Sequence, residues 1–319
     1  MSLAWPLILR RAARALGNGA LAVCFLGMSM MAPDPLGAQE DPATQAANFH
    51  HVHLNTTNIA RSMQFYRRVF GAVPIRYRGV ADALFTERSF ILFTEVDQPP
   101  DPTLNTGIWH IGWGGVDMRS EFEWWSARGV DIHTPLSPLP GRDNFYMYIS
   151  GPDKELIEIN TMGHHRFAHV HFFCDDVNET VGWYARHLGL RPRAAQVPKP
   201  TGDMSGLGGI WMNVIQCDNV TLIYFGKPDA DPPPPWWPDP PLNQIEPTAE
   251  RPIDHIAFSY RQIEPVFRRM EAAGVKIVEP IALREAYQMR SFLVEGPDQV
   301  LIEIVEERPI PEGIWDDGP

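Results

Sequence analysis

The sequence is poor in cysteine and in positive charge, and these shortages narrow the classes of protein that it can encode. It has 3 Cys among 319 residues, and 27 Lys and Arg stand against 39 Asp and Glu, for a net charge of −12. So acidic a chain argues against nucleic acid or an anionic membrane as a partner. The sequence also lacks glycine-rich phosphate loops, nucleophile elbows and basic patches. Neither nucleic acid nor an anionic membrane is therefore expected as a partner.

The apolar run near the N-terminus is too short for a membrane-spanning helix. It covers residues 20–32 and follows three arginines, whereas a spanning helix needs about 20 apolar residues. Basic residues before a short apolar run are typical of a secretory signal. We therefore predict a signal peptide at 1–38, a leader at 39–47, and a periplasmic or secreted protein with no membrane attachment after cleavage. A retained N-terminal anchor is the alternative.

Two cysteines, Cys174 and Cys217, remain beyond the predicted signal peptide. Both fall on predicted strands of one structural unit. In an oxidising compartment they could form a disulfide. The alternative is a pair of buried thiols, and the sequence leaves the choice open.

The motif Gly-Pro-Asp-x-x-Leu-Ile-Glu-Ile occurs twice and places one carboxylate, Glu158 or Glu303, among apolar residues of a predicted strand. A buried carboxylate needs a partner, because an unpaired charge is costly to bury. Forty-eight residues before each carboxylate stands a histidine, His110 or His255. The shared interval indicates an internal repeat. The two copies of the motif span 151–159 and 296–304.

Four similar units follow one another along the chain. They begin at His51, His110, His169 and His255, and each continues from a strand into a helix that ends at a glycine and then into strand-like runs. The interval from histidine to glycine is the same in units one and three, and the same in units two and four. We therefore predict a duplicated pair of β-α-β-β-β modules. The predicted domains are 48–163 and 164–308, with a Pro-rich insert at 226–252 and a C-terminal tail at 309–319.

These units resemble the vicinal oxygen chelate superfamily, which includes glyoxalases, extradiol dioxygenases and fosfomycin-resistance proteins. The resemblance rests on His-Val-x-Leu before a helix that ends in Phe-Tyr-x-x-x-x-Gly, and on the repeated Gly-Pro-Asp motif. It covers about 48–163 and 166–308. It implies an α+β fold in which four βαβββ modules pair into two bowl-shaped mixed sheets.

The resemblance also implies metal ligands on the first strand of each module and on the last strand of each domain. The first domain would supply His51, His110 and Glu158, and the second His169, His255 and Glu303. Two imidazoles and a carboxylate suit Fe2+, Mn2+ or Zn2+ and leave positions open for substrate. We therefore expect one or two divalent metal ions. The alternative is that these histidines are structural. His53 and His171 share the strand faces of their neighbours and are interpreted as hydrogen-bonded wall residues.

Tyr148 lies ten residues before Glu158, where ring-cleaving dioxygenases of the superfamily place a tyrosine that faces the substrate. Leu293 stands at the matching position before Glu303. The first domain is therefore expected to hold the better-equipped pocket, with Tyr146, Arg142 and Asn144 as substrate-binding residues. Those dioxygenases also use a histidine that has no counterpart here, so His133 is predicted to transfer the proton.

The resulting hypothesis is an exported, divalent-metal-dependent enzyme that acts on a small oxygen-rich substrate in the manner of an extradiol dioxygenase. One alternative is a glyoxalase-like isomerase or lyase. The other is a non-catalytic protein that sequesters a small molecule. The sequence leaves the oligomeric state open.

Overall fold

The computed structural model describes residues 46–139, 144–200, 210–227 and 244–307. The predicted signal peptide, nearly all of the leader, most of the Pro-rich insert and the C-terminal tail lie outside the described residues, as does Arg142. Within the described part of the chain, no helix is both long and apolar enough to cross a bilayer.

The described chain forms four consecutive modules, each of which begins with a strand followed by a helix. Module 1 contains β1 (Asn48–Thr56), α1 (Ile59–Phe70), β2 (Val73–Tyr77), β3 (Ala81–Thr86) and β4 (Ser89–Glu95). Module 2 contains β5 (Ile108–Gly115), α2 (Met118–Ser126), β6 (Ile132–Pro138), β7 (Phe145–Ser150) and β8 (Leu156–Thr161). Module 3 contains β9 (Phe167–Cys174), α3 (Val177–Leu188), β10 (Met212–Cys217) and β11 (Val220–Gly226). Module 4 contains β12 (Ile253–Tyr260), α4 (Glu264–Ala272), β13 (Lys276–Arg284), β14 (Met289–Glu295) and β15 (Leu301–Glu306).

Module 3 departs from the predicted βαβββ pattern. In its described residues only two strands follow the helix, and the place of the third is taken by an isolated bridge between Pro192 and Ile215. Proline lacks the N–H that a longer ladder would need, so the pairing there does not extend.

Helices α1 and α3 begin and end at the residues that the sequence pattern favours. The side chain of Asn58 caps α1 by accepting a hydrogen bond from Arg61 N at 2.8 Å. Gly71 ends that helix at φ 70°, in the left-handed region where glycine has no steric penalty. Asp176 caps α3 in the same way, and Gly189 ends it at φ 71°.

The strands assemble into two mixed sheets that confirm the predicted α+β architecture. One has eight strands in the order β13-β14-β15-β12-β1-β4-β3-β2, and the other has seven in the order β10-β11-β9-β5-β8-β7-β6. Module 1 therefore pairs with module 4, through antiparallel β1 and β12. Module 2 pairs with module 3, through antiparallel β5 and β9. The sheets do not follow the predicted division into halves at 48–163 and 164–308.

One hydrophobic core connects both sheets and the helices that cover them. Phe49 on β1 lies 6.0 Å from the ring of Phe167 on β9 and 5.8 Å from that of Phe258 on β12. All three side chains are buried, and burial of each contributes about 1.5–3 kcal/mol to folding. The core fixes the first strands of the modules, which carry most of the candidate functional residues.

The aspartate of each Gly-Pro-Asp motif accepts hydrogen bonds from residues around the N-terminus of the helix in the preceding module. Asp153 accepts hydrogen bonds from the hydroxyl groups of Thr56 and Thr57 at 2.5 and 2.9 Å. Asp298 accepts from Asp175 N and from the Thr180 hydroxyl, both at 2.9 Å. The motif thus holds module 2 to module 1 and module 4 to module 3, while the sheets join module 1 to 4 and module 2 to 3.

The structure decides the open question about the two cysteines. Cys174 is in register with Gly226 and Cys217 with Val220, so they stand at opposite ends of β11. Both are buried, and no disulfide joins them. The interpretation as buried thiols is confirmed and the disulfide alternative is wrong.

Candidate metal centres

Four side chains of the seven-stranded sheet converge into a cluster that we call site I: His110 on β5, Glu158 on β8, and His169 and His171 on β9. Glu158 Oε2 lies 2.9 Å from His110 Nε2 and 2.9 Å from His169 Nε2. His171 Nδ1 lies 3.1 Å from His110 Nε2. All four side chains are buried, and their donor atoms lie within 4.8 Å of one another. The site draws on modules 2 and 3 alone.

The eight-stranded sheet carries a corresponding cluster, site II: His51 and His53 on β1, His255 on β12 and Glu303 on β15. Glu303 Oε2 lies 3.4 Å from His51 Nε2 and 3.6 Å from His255 Nε2. The ring of His53 stacks on that of His255 at 4.4 Å, and its Nε2 bonds to the Thr94 hydroxyl at 2.8 Å. These side chains are also buried. Site II draws on the first and last modules.

The structure brings all six predicted metal ligands into two clusters but divides them differently from the prediction. His51 lies with His255 and Glu303, and His169 lies with His110 and Glu158. The expectation that each half of the chain supplies a complete set is wrong. The reason is the pairing of β1 with β12 and of β5 with β9, which exchanges the first-strand histidine of each half.

The protonation states of site I suit a cation. Burial lowers the pKa of His110 to about 4 despite the neighbouring carboxylate, and burial with the adjacent His110 lowers that of His171 well below its usual value. Burial opposes ionisation of Glu158, but hydrogen bonds with His110 and His169 hold its pKa well below the usual range. Neutral imidazoles and an ionised carboxylate are the forms that bind a metal ion.

Site II combines two neutral imidazoles with one that is held as a cation. Burial, then neighbouring imidazoles, lowers the pKa of His51 well below its usual value and that of His53 to about 3. Burial acts in the same direction on His255, but the hydrogen bond with Asp254 and the negative charge of Glu303 outweigh it and raise its pKa to about 9. A metal ion at site II would therefore replace a proton on this ring.

Both clusters fit a divalent metal ion. His51 Nε2 and His255 Nε2 are buried, face Glu303 and have no hydrogen-bond partner among the described residues. Buried polar atoms are nearly always satisfied, so two such nitrogens around one carboxylate form a donor set that suits a cation. The same donor set of imidazole nitrogens and carboxylate oxygen is present in site I. Such a set suits Fe2+, Mn2+ or Zn2+.

Two of the predicted substrate residues lie beside site I. Tyr148 is in register with Glu158, and its ring lies 5.1 Å from that of His110. Burial and the nearby carboxylate raise its pKa well above the usual value, so the phenol keeps its proton. Tyr146 packs edge-on against Tyr148 at 5.8 Å. The tyrosine pair forms one wall of the cluster.

The other predicted residues of this pocket are less closely connected to it. His133 on β6 is exposed, and its Nδ1 bonds to the hydroxyl of the adjacent Thr134 at 3.0 Å. Asn144 is half-buried at the start of β7 and accepts a hydrogen bond from Leu139 N through its backbone carbonyl. Roles for His133, Asn144 and Arg142 in the reaction remain predictions.

A cavity of about 1060 Å³ opens over site II and is lined by His53, His255 and Glu303. Sequence reasoning expected the better-equipped pocket in the first domain, on the ground that Leu293 replaces tyrosine here. Leu293 does line the cavity, but so does Tyr287, whose ring lies 5.7 Å from that of His53. Tyr287 belongs to the turn between β13 and β14. It is therefore not the residue that the repeat places opposite Tyr148, and the sequence comparison did not find it.

Three residues that the sequence analysis did not predict form hydrogen bonds with the candidate metal ligands of site II. Asp254 Oδ1 bonds to His255 Nδ1 at 2.5 Å. The Ser291 hydroxyl donates to Glu303 Oε1 at 2.5 Å. His50 Nδ1 lies 2.7 Å from His51 Nδ1. The doublet His50-His51 and the pair Asp254-His255 were visible in the sequence as polar residues beside each proposed ligand.

A family model matches the two repeated segments of the chain. It describes the Glyoxalase/Bleomycin resistance protein/Dioxygenase superfamily and covers residues 48–159 and 166–304. The chain therefore belongs to this superfamily, as the repeated motifs indicate. A search of curated proteins found no significant match.

Solved structures share the fold at low sequence identity. Glyoxalase I from Zea mays has a TM-score of 0.61 and 14% identity, over 82% of this chain and 92% of that chain. A putative dioxygenase from Bacillus subtilis has a TM-score of 0.54 and 12% identity, over 83% of this chain and 87% of that chain. At such identities these similarities establish the common fold and leave the reaction to be argued from the site.

Proposed function

We propose that the protein is a divalent-metal-dependent enzyme with two metal centres, one at site I and one at site II. The observation that carries the proposal is the convergence, twice in one chain, of buried imidazole nitrogens on a buried carboxylate oxygen. A structural role alone would leave the buried Nε2 atoms of His51 and His255 without hydrogen-bond partners among the described residues. In either site an ion would be held by two histidines and one glutamate.

The substrate is a small molecule with two adjacent oxygen atoms. A bound divalent ion supplies Lewis-acid polarisation of such oxygens. At site I, Tyr148 and Trp109 provide an aromatic wall, since their rings lie 5.8 Å apart and both lie beside His110. The protonated phenol of Tyr148 can donate a hydrogen bond to a substrate oxygen and orient it.

At site II the lining of the cavity favours uncharged or cationic substrates. Seven carboxylates line it against two arginines. Arg251 pairs with Asp101 at 2.7 Å, and Arg284 pairs with Glu279. Because both guanidinium groups are neutralised, the remaining carboxylates set the sign of the potential.

Within this class we favour ring cleavage of a catechol-like substrate, because Tyr148 lies beside Glu158. A glyoxalase-like isomerase or lyase is the second candidate, because His133 is exposed and ring cleavage is thereby left without its predicted proton carrier. Oxygen consumption with a panel of catechols and the Fe2+-loaded protein separates the two. Ring cleavage requires uptake of O2, whereas isomerisation does not.

The proposed metal dependence is tested by the metal content of the purified full-length chain, with His110→Ala and His255→Ala as variants. We expect two ions per chain in the parent protein and one in each variant. His133→Ala is the matched control, because an exposed histidine outside both clusters should not alter the count. Failure of the parent to bind Fe2+, Mn2+ or Zn2+ would sink the enzyme proposal and leave a sequestering protein.

We also propose that the protein is exported, because arginines precede a short apolar run near the N-terminus. The test is the mass of the chain recovered from a bacterial periplasm. Loss of residues 1–38 is the expected result. Recovery of the uncleaved chain from the membrane fraction would overturn the proposal.

A further inference from the structure

A β-bulge precedes each of the four first-strand histidines that face a glutamate in the two sites. In the ladder between β1 and β12, His50 and Asp254 are each an extra residue with no partner opposite. In the ladder between β5 and β9, the extra residues are Trp109 and Ala168. A bulge interrupts the alternation of faces, so its residue can lie on the same side as the histidine that follows. The four bulge residues are equivalent in position and very different in chemistry.

In site II both bulge residues bind the next imidazole. His50 Nδ1 lies 2.7 Å from His51 Nδ1, and Asp254 Oδ1 accepts from His255 Nδ1 at 2.5 Å. In each ring this leaves Nε2 facing Glu303. A ligand histidine that donates its other ring N–H to an acceptor is fixed in tautomer and orientation, and its basicity rises.

The carboxylate of site II is held in the same way. The Ser291 hydroxyl donates to Glu303 Oε1 at 2.5 Å, which leaves Oε2 facing the two imidazoles. Counting back from each glutamate, the position of Ser291 in module 4 is occupied by Tyr146 in module 2. In site II, His51, His255 and Glu303 are therefore each held by a polar side chain on the side away from their shared contact.

Site I has no such support at its bulges. Ala168 has no polar side-chain atom, and the indole of Trp109 packs on the ring of His110 at 4.5 Å. His110 Nδ1 is buried without a hydrogen-bond partner among the described residues. The orientation of His110 therefore depends on packing and on the contacts of its Nε2 with Glu158 and His171.

We propose that His50 and Asp254 are positioning residues that make site II the tighter of the two metal sites. The inference rests on the proposed metal-dependent function and adds a ranking of its two centres. Loss of a hydrogen-bond partner behind a metal ligand typically weakens metal binding by about 10- to 100-fold. We expect a difference of at least about tenfold between the two sites in the unmodified protein.

The experiment is a competition titration of Co2+ between the full-length protein and a chromophoric chelator. His110→Ala leaves site II intact, and His255→Ala leaves site I intact, so each variant reports the affinity of one site. Asp254→Ala is then added to His110→Ala, where we expect about 10- to 100-fold weaker binding and a changed visible spectrum of the ion. Asp254 also accepts from Asn55 Nδ2 and Glu250 N. For that reason Asp254→Asn, which keeps an acceptor, should restore a large part of the affinity.

Addition of Asp254→Ala to His255→Ala is the matched control, because site I should keep its affinity there. Equal affinity of the two sites, or an unchanged affinity of site II in Asp254→Ala, would overturn the inference while leaving the metal-dependent enzyme in place. Absence of binding at both sites would instead overturn the proposed function. A purely structural Asp254 would lower thermal stability without changing the spectrum of the bound ion.

Discussion

His51 Nε2 lies 3.4 Å from Glu303 Oε2, although the two residues belong to the first and last modules of the chain. The contact exists because β1 pairs with β12, which in turn pairs with β15. Site II therefore needs both ends of the folded chain, whereas site I is built from the two central modules. A chain that lacks module 1 would lose one site and keep the residues of the other.

Replacement of Asp153 should loosen module 1 from module 2. Asp153 is buried, and it binds Thr56, Thr57 and Arg61. A hydrogen bond to a charged group is worth about 1.5–3 kcal/mol, and bonds that share one carboxylate are not additive, so Asp153→Ala should cost about 2–4 kcal/mol in the free energy of unfolding. Chemical denaturation measures this value. The matched control is Lys154→Ala, whose exposed ion pair should contribute less than about 1 kcal/mol. Equal effects of the two changes would contradict the assignment of Asp153.

Glu155 should make the fold less stable as the pH rises. Its buried carboxyl accepts hydrogen bonds from the Tyr66 hydroxyl and Asp153 N, and burial raises its pKa from 4.5 to about 7. The folded state therefore binds the proton more tightly than the unfolded state. Stability from this group is fully present below about pH 4.5 and is lost as the pH rises through about 7, by about 3 kcal/mol in all.

Glu155→Gln should remove that pH dependence, because an amide keeps two hydrogen-bonding atoms and does not ionise. The measurement is the free energy of unfolding of both proteins from pH 5 to pH 8. We expect the free energy of unfolding of the variant to increase relative to that of the parent as the pH rises. Parallel profiles would show that the carboxyl ionises at its ordinary pKa.

Gly112 makes room for a ligand of site I. A Cβ at this position would lie 2.0 Å from the ring of His169, which is in register with Gly112 on the neighbouring strand. Gly112→Ala should displace this imidazole and remove one metal ion per chain. The equivalent residue in site II is Ala257, opposite His51, so Ala257→Gly is the matched control and should retain both ions. Retention of both ions in Gly112→Ala would contradict the assignment of His169 as a ligand.

Anionic ligands should bind site II more weakly than neutral ones of similar shape. The carboxylates around the cavity repel a second negative charge, and screening by salt should reduce the difference. In the Co2+-loaded His110→Ala protein, catechol should perturb the spectrum at a lower concentration than 3,4-dihydroxybenzoate. Tighter binding of the carboxylate would contradict the proposed charge preference.

The modules and their candidate ligands were predictable because their signals are local. The interval between His110 and Glu158 recurs between His255 and Glu303, and glycines mark the ends of the helices. Strand, turn and helix patterns of this kind are decided within a few residues. They correctly indicated four modules, two sheets and the six side chains that converge at the sites.

Which modules pair within one sheet was not predictable in the same way. β1 and β9 are both apolar first strands, and hydrophobic periodicity does not specify which neighbouring strand each one pairs with. The prediction kept His51 with His110, whereas the structure pairs β1 with β12 and so places His51 with His255. The bulges at His50 and Asp254 also escaped prediction, because a bulge depends on the register of two strands that are far apart in sequence.

Metal content of double variants tests the division of the sites most directly. His51→Ala with His255→Ala removes two ligands of site II, so we expect one ion to remain per chain. His51→Ala with His110→Ala removes one ligand from each site, so we expect both ions to be lost. Circular dichroism should confirm that both double variants are folded. If the ligands were instead grouped by sequence halves, the first double variant would lose both ions and the second would keep one.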